Sequence, residues 1–331
     1  MVLDTQPQPT MPPGVGHARI KVVGVGGAGV NALRRMAGTH VPGVEMLCVN
    51  TDAASLGKIE GVAIEVLGSA TTRGLGAGGN PLIGRAAADE SRDMLKRHLR
   101  GMDLVFIAAG MGGGTGTGAA PVVADIARDL GALTVAIVTL PFGFEGGRRK
   151  LNAESGLSAL RAAADCTIAV SNDKILGQIK KSTSANDAFA KADKIMVNAI
   201  TAVSRVINEA GDINVDFADI KATVERGGAG MVAVGQGTGT SRVLKAAQAA
   251  VTHPLLEKSA HGAKGVLYTV TAGPDLTLAE LTAQFDRLFA RFDANHDGAV
   301  TRAELLTIRS VAIGTPLAQP DGKRGAKPRR R

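Results

Sequence analysis

The stretch GMGGGTGTG, running Gly110, Met111, Gly112, Gly113, Gly114, Thr115, Gly116, Thr117, Gly118, decides how this chain folds. The apolar run 102–109 before it reads as a buried strand, and the run 119–130 after it reads as a helix. A loop with so little side chain can turn its backbone N–H groups onto an anion. The N-terminus of the helix that follows adds further donors and a favourable dipole. The hydroxyls of Thr115 and Thr117 add neutral ligands. A flexible linker would not sit tightly between a strand and a helix, so the stretch is read as a phosphate cradle and the chain as a nucleotide binder.

Outward from that loop, apolar strands alternate with helices. Residues 20–25, 44–51, 62–67, 102–109, 133–140 and 166–171 read as strands, and 31–36, 81–99, 119–130 and 151–164 as helices. Such alternation predicts an α/β fold with a parallel sheet covered on both faces. A long helix is expected over 187–208. A smaller second unit follows, with helix 217–226, strand 231–234, helix 241–253 and strand 265–272. Past Pro274, the residues Leu278, Leu281, Phe285, Leu288, Phe289 and Phe292 fit one face of a further helix.

Composition bounds the function. At 331 residues the chain has room for about two domains and a large core. Aromatic residues are only 3 %, with no Trp and one Tyr, so the core must be aliphatic and base-stacking surfaces are scarce. Specific nucleic-acid binding is not expected. Of the net charge of +8, the last eleven residues supply +5, which leaves +3 for the rest. That basic, Pro- and Gly-containing tail is expected to be disordered and could touch an anionic surface weakly, or merely keep the chain soluble. Cys48 and Cys166 both fall in strand-like apolar segments and read as buried thiols of a reducing compartment. No apolar run approaches the ~20 residues that a membrane span needs, and the protein is read as cytoplasmic.

A second glycine pattern, Gly24-Val25-Gly26-Gly27-Ala28-Gly29, closes the first strand and opens the first helix. Alone it matches a dinucleotide-binding turn, with Asp52 about where a ribose acid would stand. A Rossmann dehydrogenase, however, has one phosphate loop at its first strand. The richer loop after a later strand suits a longer phosphate chain. No P-loop of the form G-x-x-x-x-G-K-[ST] is present.

With GVGGAGVN, VNTDAASL, RGLGAGGNP, PFGFEGGRR, SNDKIL, NVDFADIK and GPDLTL falling in order around GMGGGTGTG, the chain resembles the FtsZ family, the tubulin-like bacterial cell-division GTPases. The resemblance covers about four-fifths of the sequence, from Arg19 to Leu281. It implies a tubulin/FtsZ-type, Rossmann-like GTPase domain over 18–186, a central helix over 187–209 and an α+β second domain over 210–275. A disordered arm (1–17) would precede these, and a basic tail (313–331) would end the chain.

The resemblance also implies roles for matching residues. Gly26, Gly27 and Asn31 would lie by the phosphates and the near edge of GTP or GDP. Ala77, Gly78 and Gly79 would approach the terminal phosphate, and Gly113, Gly114, Thr115, Gly116 and Thr117 would cradle the chain of phosphates. Glu145 and Arg149 would hold the ribose side. Asn172, Phe189 and Asp193 would select guanine: a carboxylate can accept from the guanine N1 and N2 donors, and a phenyl ring can stack on the base. Magnesium would accompany the nucleotide. For hydrolysis the resemblance offers Asn214, Asp216 and Asp219, on a loop that would enter the nucleotide site of the next subunit in a head-to-tail filament. Asp216 and Asp219 could equally cap the helix that follows.

The sequence also departs from the family. The twelve residues from Asp293 to Glu304 match a calcium-binding EF-hand loop. Asp293, Asn295 and Asp297 stand at the first, third and fifth positions and Gly298 at the turn. Ala299 would offer its carbonyl, Thr301 would bind directly or through water, and Glu304 would close the site. The EF-hand unit is expected over 276–312, its exit helix over 305–312. It would stand where the family's second domain continues its sheet, so that domain is expected to be truncated. Two readings follow: a GTPase that assembles with itself at the division site under calcium control, or a non-polymerising, calcium-sensing regulator of a full-length FtsZ. A dinucleotide oxidoreductase is disfavoured, because no acid–base or hydride-acceptor constellation accompanies the first glycine loop.

Overall fold

The computed structural model describes residues 18–38, 41, 43–177, 179, 182–208, 216–225, 227–251, 266–273, 275–277, 279–280 and 308–314. Strands and helices alternate through its first half, as β1 (Ile20–Val25), α1 (Gly26–Met36), β2 (Val44–Asn50), α2 (Ala53–Leu56), β3 (Ala63–Val66), α3 (Ser69–Thr72), α4 (Pro81–Glu90), α5 (Arg92–Leu99), β4 (Leu104–Gly110), α6 (Thr115–Asp129), β5 (Leu133–Leu140), α7 (Gly147–Ala163), β6 (Cys166–Ser171) and α8 (Asn172–Leu176). The rest is α9 (Ala185–Asn208), α10 (Phe217–Val224), β7 (Gly228–Gly230), α11 (Arg242–Val251), β8 (Val266–Thr271) and β9 (Ile308–Gly314).

The expected parallel sheet is present. Seven strands lie in the order β3-β2-β1-β4-β5-β6-β7, and every pairing is parallel. Strands buried on both faces need apolar side chains in both directions. β1 and β4 provide them, with all six residues of β1 buried and Leu104 to Ala109 fully shut off from solvent. One face packs Val23, Val25, Val105 and Ile107 against α4, α5, α6 and α7. The other packs Val22, Phe106 and Ile137 against α1, α9 and α10. The core is aliphatic, with Phe106 and Phe142 the only aromatic side chains among its largest fully buried members. Cys48 and Cys166 are free, buried thiols, and burial pushes both up to about 11.

Several boundaries differ from the sequence reading. The stretch 81–99 is two helices, because Ser91 turns out of the helix and its hydroxyl accepts from the Gly68 N–H at 2.9 Å. α6 and α1 start earlier than their apolar periodicity suggested, inside the glycine loops themselves. The expected strand 231–234 does not form. The chain instead pairs Gly228–Gly230 with β6 at the edge of the large sheet, and Met231 and Val234 are exposed, with no partner strand among the described residues. The exit helix expected over 305–312 is also not seen: from Ile308 the chain is strand, parallel to β8. Ile308, Val311 and Ile313 are β-branched and suit a ladder better than a helix. β9 runs to Gly314, so the first two residues of the expected 313–331 tail are strand. The N-terminal arm and the EF-hand loop lie outside the described residues.

Candidate nucleotide-binding site

The two glycine loops meet. A side chain on Gly26 would place its Cβ 2.8 Å from the Gly116 nitrogen, and Gly26 itself has φ +71°. Only glycine serves there, and its reward is that the N-termini of α1 and α6 lie side by side. Neither helix has an acidic residue in its first turn. Two positive dipole ends with unpaired N–H groups therefore face one space, which is an anion site by construction.

The second loop is set by its own threonines. Gly112, at φ +102°, donates its N–H to the Thr117 hydroxyl at 2.8 Å, which bends the loop back over the start of α6. The Thr115 hydroxyl sits 2.6 Å from that of Thr51, at the end of β2. Thr51 in turn accepts, through its carbonyl, from the Gly76 N–H at 3.0 Å. Ala77 packs on Gly114, where a Cβ would come within 2.8 Å of the alanine methyl. Asn152, on α7, donates to the carbonyls of Gly79 at 3.2 Å and Gly112 at 3.4 Å. The segment carrying Ala77, Gly78 and Gly79 is thus tied to the cradle from two sides.

A cleft of about 280 Å³ opens above these loops. Of the residues expected at the site, Gly27, Gly113, Gly114, Thr115, Gly116, Glu145, Arg149, Asn172, Phe189 and Asp193 line it. Gly26 and Thr117 lie just behind, shaping the loops. Asn31 is exposed, and its side chain accepts from Arg34 at 2.9 Å. Ala77, Gly78 and Gly79 do not line the cleft, and of the three Ala77 packs on Gly114.

Each polar wall residue has a distinct setting. Glu145, at the end of a short 3-10 turn (Gly143–Glu145), accepts from the Phe142 N–H at 2.8 Å and pairs with Arg149 one helical turn on. Asn172 opens α8. It is 5 % exposed, and its Oδ1 has no hydrogen-bond partner. Such an orphaned acceptor costs about 1–3 kcal/mol unless something arrives to donate to it. Phe189 meets Phe142 edge-on at 5.2 Å and leaves 40 % of its surface open. Asp193 is 7 % exposed, and its Oδ2 lies 3.2 Å from the Arg35 Nε. Burial pushes the Asp193 carboxyl up from its ordinary value, and the Arg35 hydrogen bond and charge pull it back.

The sequence reading missed several members of the wall. Thr139, Pro141 and Ala192 line the cleft, and Thr51, Asn152 and Arg35 brace it from behind. None belongs to a glycine pattern. Two signals were available: Thr51 and Pro141 lie inside the quoted segments VNTDAASL and PFGFEGGRR, and Thr51 and Thr139 stand at or next to the C-terminal ends of strands, where ligands of parallel sheets bind.

Asp216 and Asp219 do not line the cleft. Asp216 caps α10, accepting from the Asp219 N–H at 2.8 Å, and both residues are exposed. Asn214 lies outside the described residues, as do Asp293, Asn295, Asp297, Ala299, Thr301 and Glu304. Among the described residues, no group of three His, Cys, Asp or Glu could hold a metal, and no helix is long and apolar enough to cross a membrane.

Comparison with known proteins agrees with this geometry. The GTPase domain of the Tubulin/FtsZ family matches residues 19–180, and the C-terminal domain of the FtsZ family matches residues 228–305. The cell division protein FtsZ of Pseudomonas aeruginosa is 43 % identical over 313 residues, covering 92 % of this chain and 79 % of that one. Its counterpart in Azotobacter vinelandii is 48 % identical over 264 residues, 80 % of this chain and 67 % of the relative. Among solved structures, an empty FtsZ dimer of M. jannaschii superposes with a TM-score of 0.80 at 40 % identity, covering 90 % of this chain and 84 % of that one. The C-terminal match runs through the stretch in which the sequence reading placed a truncation, and a strand, β9, follows it.

Proposed function

The chain belongs to the FtsZ family, and from that premise we propose that it binds GTP in the cleft between α1, α6 and α9 and hydrolyses it on head-to-tail assembly, at the site of bacterial cell division. The observation that carries the reading is the pairing of two features in one cleft. Two helix N-termini converge on one side, and a buried unpaired Asn172 Oδ1 and a buried Asp193 carboxylate line the other wall. The first suits a chain of phosphates; the second suits a base that offers several N–H donors, as guanine does.

In this reading the N–H groups of residues 113–117 and of Gly27 hold the phosphates. Glu145 and Arg149 take the ribose side, and Asn172, Phe189 and Asp193 take the base. Asn31, Ala77, Gly78 and Gly79 complete the shell from the first helix and the loop beside Gly114. Magnesium would rest mainly on phosphate oxygens and supply charge neutralisation, with the Thr115 hydroxyl as a protein oxygen at the start of α6. Asn214, Asp216 and Asp219 would act in trans, positioning the attacking water in a neighbour's cleft, because phosphoryl transfer depends chiefly on positioning and charge. The test is phosphate release from GTP across a range of protein concentrations. Specific activity that climbs steeply supports a shared site. Tight GTP binding with flat, near-zero turnover would replace it with a non-polymerising regulator of a full-length relative.

Calcium forms the second part of the proposal. Asp293, Asn295, Asp297, Ala299, Thr301 and Glu304 would coordinate one ion in the crossover between the parallel strands β8 and β9. Through it, calcium would modulate assembly. Calorimetric titration should detect uptake at or below millimolar calcium; no heat at that concentration removes this part and leaves the GTPase reading intact.

A further inference from the structure

α1 reaches from one functional group of the cleft to another. Its first residue, Gly26, abuts the phosphate cradle, while Arg35, nine residues on and about 13 Å along the axis, meets Asp193. Arg35 is no core residue: its side chain is 49 % exposed, whereas that of Asp193 is 9 % exposed. The contact is side-on, through Nε to Oδ2 alone. A carboxylate has about four lone-pair positions, so Oδ1 and the remaining lone pair of Oδ2 stay available to a ligand in the cleft.

We propose that Arg35 is a specificity-determining positioning residue: its side-on pairing with Asp193 keeps that buried carboxylate anionic and oriented, and thereby sets the preference for guanine over adenine. The inference rests on the reading of Asp193 as the contact to the base. An anionic carboxylate presents two acceptors, the complement of the N1–H and N2–H groups of guanine. A protonated carboxylic acid presents one donor and one acceptor, and the N1 acceptor and N6 amino group of adenine answer that pattern. The charge state of Asp193 therefore decides which base is favoured.

Burial works against the anion, and it will do so more strongly once a base closes the cleft. Arg35 is the cation in contact. The other charged groups on the elements around Asp193 are committed or face water. On α8, Asp173 accepts from the Gly143 N–H at 2.8 Å, and Lys174 has a partner of its own. On α9, Asp187, Lys191 and Lys194 are exposed and Arg205 has a partner of its own, and in the cleft wall Glu145 and Arg149 pair with each other. On α1, Arg34 bonds Asn31 and the carbonyls of Ser55 and Leu56. β5 carries no ionisable side chain.

The experiment measures GTP and ATP affinity by calorimetry between pH 5 and 8, on the full chain and on Arg35→Gln, Arg35→Lys and Asp193→Asn. Arg35→Gln should weaken GTP about tenfold at pH 7, a charge-assisted bond's share. It should also move the midpoint of acid loss of GTP affinity up by about one pH unit, and narrow the GTP:ATP ratio. Arg35→Lys should return the midpoint toward that of the parent. An unchanged midpoint and ratio in Arg35→Gln, with or without uniformly weaker binding, overturns the proposal, because a packing role would not spare the pH profile. Asp193→Asn separates this from the underlying reading. If it leaves the GTP:ATP ratio untouched, Asp193 does not read the base, and both fall together.

Discussion

Replacing Asn172 by Leu should stabilise the empty protein and weaken the loaded one. The Oδ1 of Asn172 is shut off from solvent and unpaired. Its desolvation was paid on folding without return, at a cost of about 1–3 kcal/mol. An apolar side chain of similar volume removes that cost at the first residue of α8, where the helix ladder does not depend on the side chain. Some of the gain will be lost to imperfect packing, so a net gain of about 1 kcal/mol is expected, or about 2 °C in Tm. Binding moves the other way. If a nucleobase N–H donates to this oxygen, the variant loses that bond, and affinity for GTP should fall about five- to tenfold. GDP should suffer equally, because the loss is at the base and not at the phosphates. Scanning calorimetry of nucleotide-free protein gives the first number, and titration with GTP and GDP gives the second. A lower Tm together with unchanged affinity would refute the reasoning: the oxygen would then have a structural partner and no ligand.

Three further outcomes follow from the same structure. Folded Cys48 and Cys166 hold their protons to about pH 11, while the unfolded chain releases them near 9, so the folded state binds more protons in that window and stability must fall as pH rises through it. The loss should approach about 2–3 kcal/mol per thiol, and equilibrium unfolding of Cys48→Ala across pH 8–11 should show a visibly shallower decline. Lys21 is buried on β1 and its ammonium lies 2.5 Å from the exposed Glu45 opposite it on β2. Glu45→Ala should cost about 1–2 kcal/mol by stranding a buried charge, whereas Lys21→Met should be close to neutral; urea unfolding of both variants checks the contrast. Asp216→Asn keeps an acceptor for the Asp219 N–H, so α10, Tm and GTP binding should be unchanged while turnover at high protein concentration drops more than tenfold. Full turnover in that variant would mean Asp216 serves as a cap alone.

Much of the fold was legible because its signals are local. β1, β5 and β6 begin and end where the expected strands do, since a strand buried on both faces is predominantly apolar, with exceptions such as Lys21 of β1 that find a partner. The glycine loops were legible because few other reasons exist for so many glycines between a strand and a helix. What escaped was non-local. The break at Ser91 depends on Gly68, twenty-three residues earlier in the chain. β9 depends on β8 across the crossover, and without that partner Ile308 to Ala312 reads as helix. The same divide runs through the site. Residues of the glycine loops were given roles, while Thr51 (although inside the quoted VNTDAASL), Asn152 and Arg35 were not, because each acts by touching another side chain or a carbonyl that no spacing rule encodes.

The distribution of charge in the cleft argues for a shared active site. Around the cradle the protein presents N–H groups, hydroxyls and helix N-termini, which hold a phosphate chain but cannot activate water. The two carboxylates in the wall are already engaged, Glu145 by Arg149 and Asp193 by Arg35. Either one, released to act as a base, would leave its arginine without a partner and undo the ribose or base contact assigned to it. A carboxylate placed beside the terminal phosphate in the same chain would also oppose the positive ends of α1 and α6 and weaken nucleotide binding. The proposed entry of Asp216 and Asp219 from a second chain would avoid that conflict. The cradle would stay electropositive while the nucleotide binds, and acid would be added only after assembly. Both residues are exposed in the single chain, and the Asp216 side chain is anchored by capping α10. On the proposed reading, tight binding by the monomer and turnover on assembly are two results of one charge arrangement.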